Sequence, residues 1–200
     1  MNSGSDEGSA GGDEKMKMTH SKGNIKGEGR CLIAYFSRLG NNYVGGSIMN
    51  LSVGNTEVIA KMIQGMTGGD LFRIEPVKPY PADYTATTDV AKEELRTKAR
   101  PELTGNVDNI ASYELIFLGY PDWWGTMPMP VFTFLEGYDL SGKTIAPFCT
   151  HEGSGLGHSI ADIEKACPHS TVLNGIAIRG GEVKNAQDVV AGWLRTVGVI

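Results

Sequence analysis

Ser37-Arg38 follows an apolar run, Leu32-Ile33-Ala34-Tyr35-Phe36, and Gly54-Asn55-Thr56 precedes an amphipathic one. Hydroxyls, an amide and a guanidinium between a strand and a helix are groups that hold an anion. The first backbone N–H groups of a helix have no internal partner, and its dipole favours negative charge there. A second set, Pro121, Trp123, Trp124, Gly125 and Thr126, occupies a Pro- and Gly-bearing stretch after another apolar run. Its indoles offer flat faces to a planar ring. A third, Thr150, His151 and Gly153, lies in Thr150-His151-Glu152-Gly153-Ser154-Gly155, where glycines let backbone come close to a ligand. An anion site, aromatic plates and a glycine-lined edge suit a phosphorylated planar cofactor.

Each of these residues also has a plainer use. Ser37, Asn55 and Thr56 can cap the helix, which is compatible with holding a phosphate. Arg38 can pair with that phosphate or point to solvent. Trp123 and Trp124 cannot easily both face a core from one loop, so at least one is expected on the cofactor ring, and which one stays open. Gly125 and Gly153 serve turns equally well, Thr126 and Thr150 can bond a ring edge or close turns, and His151 can contact ring, substrate or water.

Other matches fail on context. Gly137-Tyr138-Asp139-Leu140-Ser141-Gly142-Lys143-Thr144 has the spacing of an ATP-binding loop. It precedes a strand rather than a helix, however, and Pro147 forbids a helix there. His151-Glu152 lacks the second histidine of a zinc protease, since position 155 is Gly. Gly153, Gly155 and Gly157 miss the dinucleotide fingerprint by one position. Ser154 has Glu152 where a nucleophile elbow needs glycine.

The elements that must position these loops alternate along the chain. Short apolar, β-rich runs fall at Cys31–Phe36, Leu71–Glu75, Leu115–Tyr120, Thr144–Thr150 and Thr171–Ile178. Helical spacing joins Val58, Ile59, Met62, Ile63 and Met66, and again Ala186, Val189, Val190, Trp193, Leu194 and Val197. Ile160, Ile163 and Ala166 make a weaker stripe. Asp83–Arg100 reads as a polar helix stopped by Pro101, and Pro128 or Pro130 starts a short one. Nearly continuous apolar strands alternating with helices predict a doubly wound parallel sheet covered on both faces. In such a sheet, ligands sit outside the carboxyl ends of the strands, where the three loops converge.

Two hundred residues with 40% hydrophobic content suit one full core, and a net charge of −5 argues against nucleic acid. Residues 1–30 balance five acids against five bases and lack large apolar side chains other than Met, Ile25 excepted. They are expected to form a disordered tail, with the folded domain over 31–200. No run has the length of a membrane span. Three widely spaced cysteines, Cys31, Cys149 and Cys167, suit a reducing cytoplasm better than a disulfide framework.

At its three loops the chain resembles the flavodoxin family, in the bacterial flavodoxin-like branch. The resemblance rests on Ala34-Tyr35-Phe36-Ser37-Arg38 with Gly54-Asn55-Thr56, on Gly119-Tyr120-Pro121 with Trp123-Trp124-Gly125, and on Thr150-His151-Glu152-Gly153-Ser154-Gly155. It implies a five-stranded parallel sheet in the order 2-1-3-4-5 between two helical layers, with FMN bound non-covalently. The cofactor-binding residues it implies are Ser37, Arg38, Asn55, Thr56, Pro121, Trp123, Trp124, Gly125, Thr126, Thr150, His151 and Gly153. It further implies low-potential electron transfer between a reductase and an acceptor protein. The alternative is an FMN-dependent NAD(P)H oxidoreductase acting on quinones or nitro compounds. Carriers of this family are usually more acidic than this chain, which keeps the enzyme in play. One departure from the family pattern stands out. A Gly- and Asn-rich insertion separates Ser37 from Thr56, so Gly40-Asn41-Asn42 competes with Gly54-Asn55-Thr56 for the phosphate turn. The second is preferred, because a helical stripe follows it directly.

Overall fold

A computed structural model describes residues 30–200 of the chain. The tail expected over residues 1–30 lies outside the described residues except for Arg30. That residue opens the first strand, where its guanidinium meets Asp70 at 2.6 Å.

The parallel sheet is built from β1 (Arg30–Tyr35), β4 (Asp70–Arg73), β5 (Tyr113–Pro121), β6 (Thr144–His151) and a fifth strand in two pieces, β7 (Thr171–Val172) and β8 (Ile176–Arg179). Its order is β4-β1-β5-β6, with β7 and β8 both on the outer side of β6. Counting the divided strand once, this is 2-1-3-4-5. The break has a cause in β6. The Ile145 carbonyl accepts from the Leu173 N–H, so Pro147, two residues on, faces the same neighbour without an N–H to give. The fifth strand interrupts itself opposite that gap and resumes pairing at Phe148–Ile176.

Alternation along β1 sends side chains into two separate cores. Leu32, Ala34 and Phe36 pack on one face with Val131, Phe134 and Ile163, from α3 (Met129–Glu136) and α4 (Ser159–Ala166). Ile33 and Tyr35 pack on the other with Ile59, Ile63, Val190 and Leu194, from α1 (Asn55–Thr67) and α5 (Gln187–Thr196). The remaining helix, α2 (Tyr84–Thr97), is capped by the Asp83 side chain, which accepts from the Ala86 N–H at 2.8 Å. It buries only Thr87 and Ala91, as its polar sequence requires. No helix among the described residues is long and apolar enough to cross a membrane.

The insertion forms an antiparallel hairpin, β2 (Gly40–Val44) and β3 (Ser47–Leu51), apart from the main sheet. Its two-residue turn is Gly45-Gly46, with φ of 60° and 96°, the region such tight hairpins require at both central residues. Gly40-Asn41-Asn42 therefore lies in a strand, and Gly54-Asn55-Thr56 opens α1.

Candidate functional site

At the carboxyl ends of β1, β5 and β6 the chain surrounds a cavity of about 340 Å³. Its floor at one end is the first turn of α1. Gly54 is the residue before that helix, and it nearly touches the Ser37 side chain and the Arg38 backbone, leaving no room for a Cβ. That contact lets the Ser37 hydroxyl accept from the Glu57 N–H at 3.0 Å, while the Val58 N–H goes to the Gly54 carbonyl at 3.2 Å. The N–H groups of Asn55 and Thr56 have no partner among the described residues, and both residues line the cavity. The Thr56 and Thr150 hydroxyls lie 2.8 Å apart, tying the end of β6 to the helix start. Unused amides and neutral hydroxyls at a helix N-terminus attract an anion.

Arg38 takes a third course besides the two open in the sequence. Its guanidinium donates to the carbonyls of Pro81 at 2.7 Å and Ala82 at 2.8 Å, and to that of Asn41. Burial lowers its pKa, with Asp83 acting in the opposite sense. Arginine nevertheless stays charged in proteins. It holds the loop before α2 against the base of the hairpin and keeps its charge on the cavity wall.

The other end is aromatic and backbone-lined. Pro121 and Trp123 border the cavity, and Trp123 stands edge-on to Phe36 at 5.3 Å and to Tyr80 at 5.0 Å between ring centroids. His151 and Gly153 complete this side. The His151 Nδ1 accepts from the N–H groups of Gly153 at 2.9 Å and Gly155 at 3.0 Å. Through these two bonds the ring fixes the conformation of its own loop.

Nine of the twelve residues expected at the site thus line one cavity, and Trp124, Gly125 and Thr126 do not. Thr126 is buried and donates to Asp162 at 2.5 Å. Trp124 and Gly125 form the centre of a tight turn closed by the Trp123 N–H to the Thr126 carbonyl at 2.9 Å. That turn swings the Trp124 indole away, onto α2. The structure adds wall residues the sequence reading did not propose. Asn42, Tyr43 and Leu51 come from the hairpin, Tyr84 from α2, and Asp122, Glu152 and Ser154 from the strand-end loops. The Gly45-Gly46 pair between two β-rich runs was the available signal for a hairpin. Its tip crosses to the far loop, where the Gly45 N–H donates to Glu152 at 2.9 Å. Tyr43 meets Tyr84 with ring centroids 6.3 Å apart, closing the wall on the α2 side.

Comparison with known proteins bears on the family and the fold. The flavodoxin family model matches residues 47–197. A candidate flavoprotein from Bacteroides eggerthii DSM 20697 is similar, with 30% identity, a TM-score of 0.69, and coverage of 86% of this chain and 99% of that one. A second, from Bacteroides uniformis ATCC 8492, has 26% identity and a TM-score of 0.65 over 84% of this chain and 98% of its own. A flavoprotein from Lactobacillus acidophilus NCFM, solved in complex with FMN, shares the fold at 22% identity and a TM-score of 0.56, over 78% and 97% of the two chains. None of the curated protein sequences matches significantly.

Proposed function

The chain belongs to the flavodoxin family, and on that premise we propose that it binds FMN non-covalently in the strand-end cavity and carries electrons between a reductase and an acceptor protein. The observation that carries this reading is the pair of unpartnered N–H groups, Asn55 and Thr56, at one end of a cavity whose other end is bordered by Trp123. The parts fit. Amides, the Ser37, Thr56 and Thr150 hydroxyls and the fixed Arg38 charge suit a phosphate monoester. Pro121, Trp123 and the His151–Gly153 backbone suit a flat ring. Bound FMN supplies the electron chemistry, and the protein sets its energetics and access.

Two acidic residues, Asp122 and Glu152, belong to the cavity wall, their carboxylates accepting from the N–H groups of Gly125 and Gly45. Negative charge there, in surroundings poorer than water at screening, disfavours further negative charge on a bound ring and so lowers its potential. The hairpin, held to Glu152 at its tip, forms one side of the cavity through Asn42, Tyr43 and Leu51. A second reading, an FMN-dependent NAD(P)H oxidoreductase of quinones or nitro compounds, is favoured by one feature, an apolar slot that adjoins the cavity.

Titration of the purified protein with FMN, followed by the flavin visible spectrum, tests the cofactor. Saturable spectral change is expected, and no uptake overturns the proposal. Loaded protein is then offered NAD(P)H with a small acceptor. Slow oxidation that rises only when a protein reductase is added supports the carrier, whereas direct turnover selects the enzyme.

A further inference from the structure

The outer strand of the hairpin, β3, is an edge without the usual protections. Exposed edges are normally blunted by charges, proline or bulges. Ser47-Ile48-Met49-Asn50-Leu51 has none of these, and its register with β2 is unbroken. Its first four residues are exposed, Ile48 at 50% and Met49 at 47%. It lies within Leu39–Thr56, the longest stretch of the chain without Asp, Glu, Lys or Arg.

Pairing with β2 uses only one side of β3. The two-residue turn makes Val44 and Ser47 a hydrogen-bonded pair. By the alternation of an antiparallel ladder, Ser47, Met49 and Leu51 turn their backbone groups toward β2, and Ile48 and Asn50 turn theirs away. Those outward N–H and C=O groups have no partner among the described residues. β3 also borders a groove of about 720 Å³, with Leu51, Val53, Val58, Met62 and Val183 in its lining. Its charged members are Lys61, whose ammonium lies 2.6 Å from Glu57, and Lys184. An unpaired strand edge beside an apolar groove takes an extended, uncharged segment: the edge supplies ladder bonds and the groove takes side chains.

We propose that the segment is β3 of a second copy of this chain, paired antiparallel about a two-fold axis at Met49, so that two hairpins join in one four-stranded sheet. β3 itself is extended, uncharged and exposed, as the site requires. Under this symmetry every outward group finds its match, because Ile48 of each copy stands opposite Asn50 of the other. Two chains that each carry a net charge of −5 meet where neither brings a charge. A charged strand from another protein finds no counter-charge along β3. A sheet of two strands is marginal by itself, and one of four is not. Asn42, Tyr43 and Leu51 wall the strand-end cavity, so the pairing fixes that wall in both copies. The inference is independent of what the cavity binds.

Sedimentation velocity of the full chain over a concentration series is the test, and a species of twice the chain mass is expected. Ile48→Pro removes an outward N–H while leaving the ladder to β2 intact. Met49→Asp brings two carboxylates together at the axis. Each should raise the dimer dissociation constant about tenfold or more, with the circular dichroism of the parent retained. Met49→Cys, oxidised with diamide, should give a disulfide-linked dimer, and Ser47→Cys and the parent should give far less, since only position 49 faces its own copy. A monomer at every concentration overturns the inference. So does a dimer that both substitutions leave unchanged, or one in which positions 47 and 49 cross-link equally.

Discussion

Gly54 shows how much one missing side chain can decide. Its φ of −69° is open to any residue, so the demand for glycine comes from crowding against Ser37 and Arg38, not from the backbone angle. Gly54→Ala must push the turn off the helix start, at a cost of about 1–3 kcal/mol as for other overpacked sites. The Ser37 hydroxyl then loses the Glu57 N–H, and the two unpartnered amides are displaced. FMN affinity is expected to fall at least tenfold, with riboflavin binding changed much less, as isothermal titration of both ligands would measure. Ser37, Asn55 and Thr56 were legible from residue type, because capping and anion binding use the same groups. The course of Arg38 was not, since two of its carbonyl partners, Pro81 and Ala82, lie some forty residues away along the chain. Cys149, near the end of β6, is buried. Burial pushes its thiol pKa up, with the Asp122 charge adding in the same direction and a hydrogen bond with the Asp122 backbone opposing.

Among the elements, α3 is joined to the segment after α2 by a bidentate pair. Arg100 Nε lies 2.7 Å and a terminal nitrogen 2.6 Å from the Glu136 carboxylate. The guanidinium holds the Glu136 carboxyl below its ordinary pKa, burial opposing. A carboxyl lowered in the folded state stabilises the protein above its unfolded pKa, and that contribution disappears as pH falls through the folded value. Both side chains are partly exposed, so the pair contributes about 1 kcal/mol or less. Glu136→Gln should therefore melt lower than the parent at pH 7, with the gap closing between roughly pH 5 and pH 3. Calorimetry across that range checks it. Parallel strands and amphipathic helices were readable because burial on both faces leaves continuous apolar runs, and the Val58–Met66 stripe became α1 almost residue for residue. The hairpin was hidden for the opposite reason. Ser47, Ile48, Met49 and Asn50 are all exposed, so no burial pattern marks β3, and only its glycine turn does.

For the molecule as a whole, the cavity joins three strand ends, two helices and the hairpin, and a ligand that occupies it in the native state alone must stabilise all of them together. At a concentration one hundred times its dissociation constant, such a ligand adds about 2.7 kcal/mol. In a protein of this size that corresponds to a rise in melting temperature of roughly 5–10 °C. FMN should produce it, and riboflavin at equal concentration should produce less, because the amides of Asn55 and Thr56 gain no phosphate. Equal shifts in differential scanning fluorimetry would remove the anion site from the account. The layered architecture and the convergence of three loops at one sheet end were legible because both follow from strand order and handed connections. What the sequence concealed at this scale is the α2 side of the cavity, whose Tyr84 sits in a helix that otherwise reads as solvated.

The interruption opposite Pro147 also bears on the fate of the molecule at high concentration. A long, uniform outer strand would be a row of free amides and carbonyls, ready to recruit a neighbour into a growing fibril. Here that border comes in fragments of two and four residues, with Leu173-Asn174-Gly175 between them, and β4 on the opposite border is itself four residues long. The same proline that costs the sheet one ladder bond leaves it a poor template for self-association.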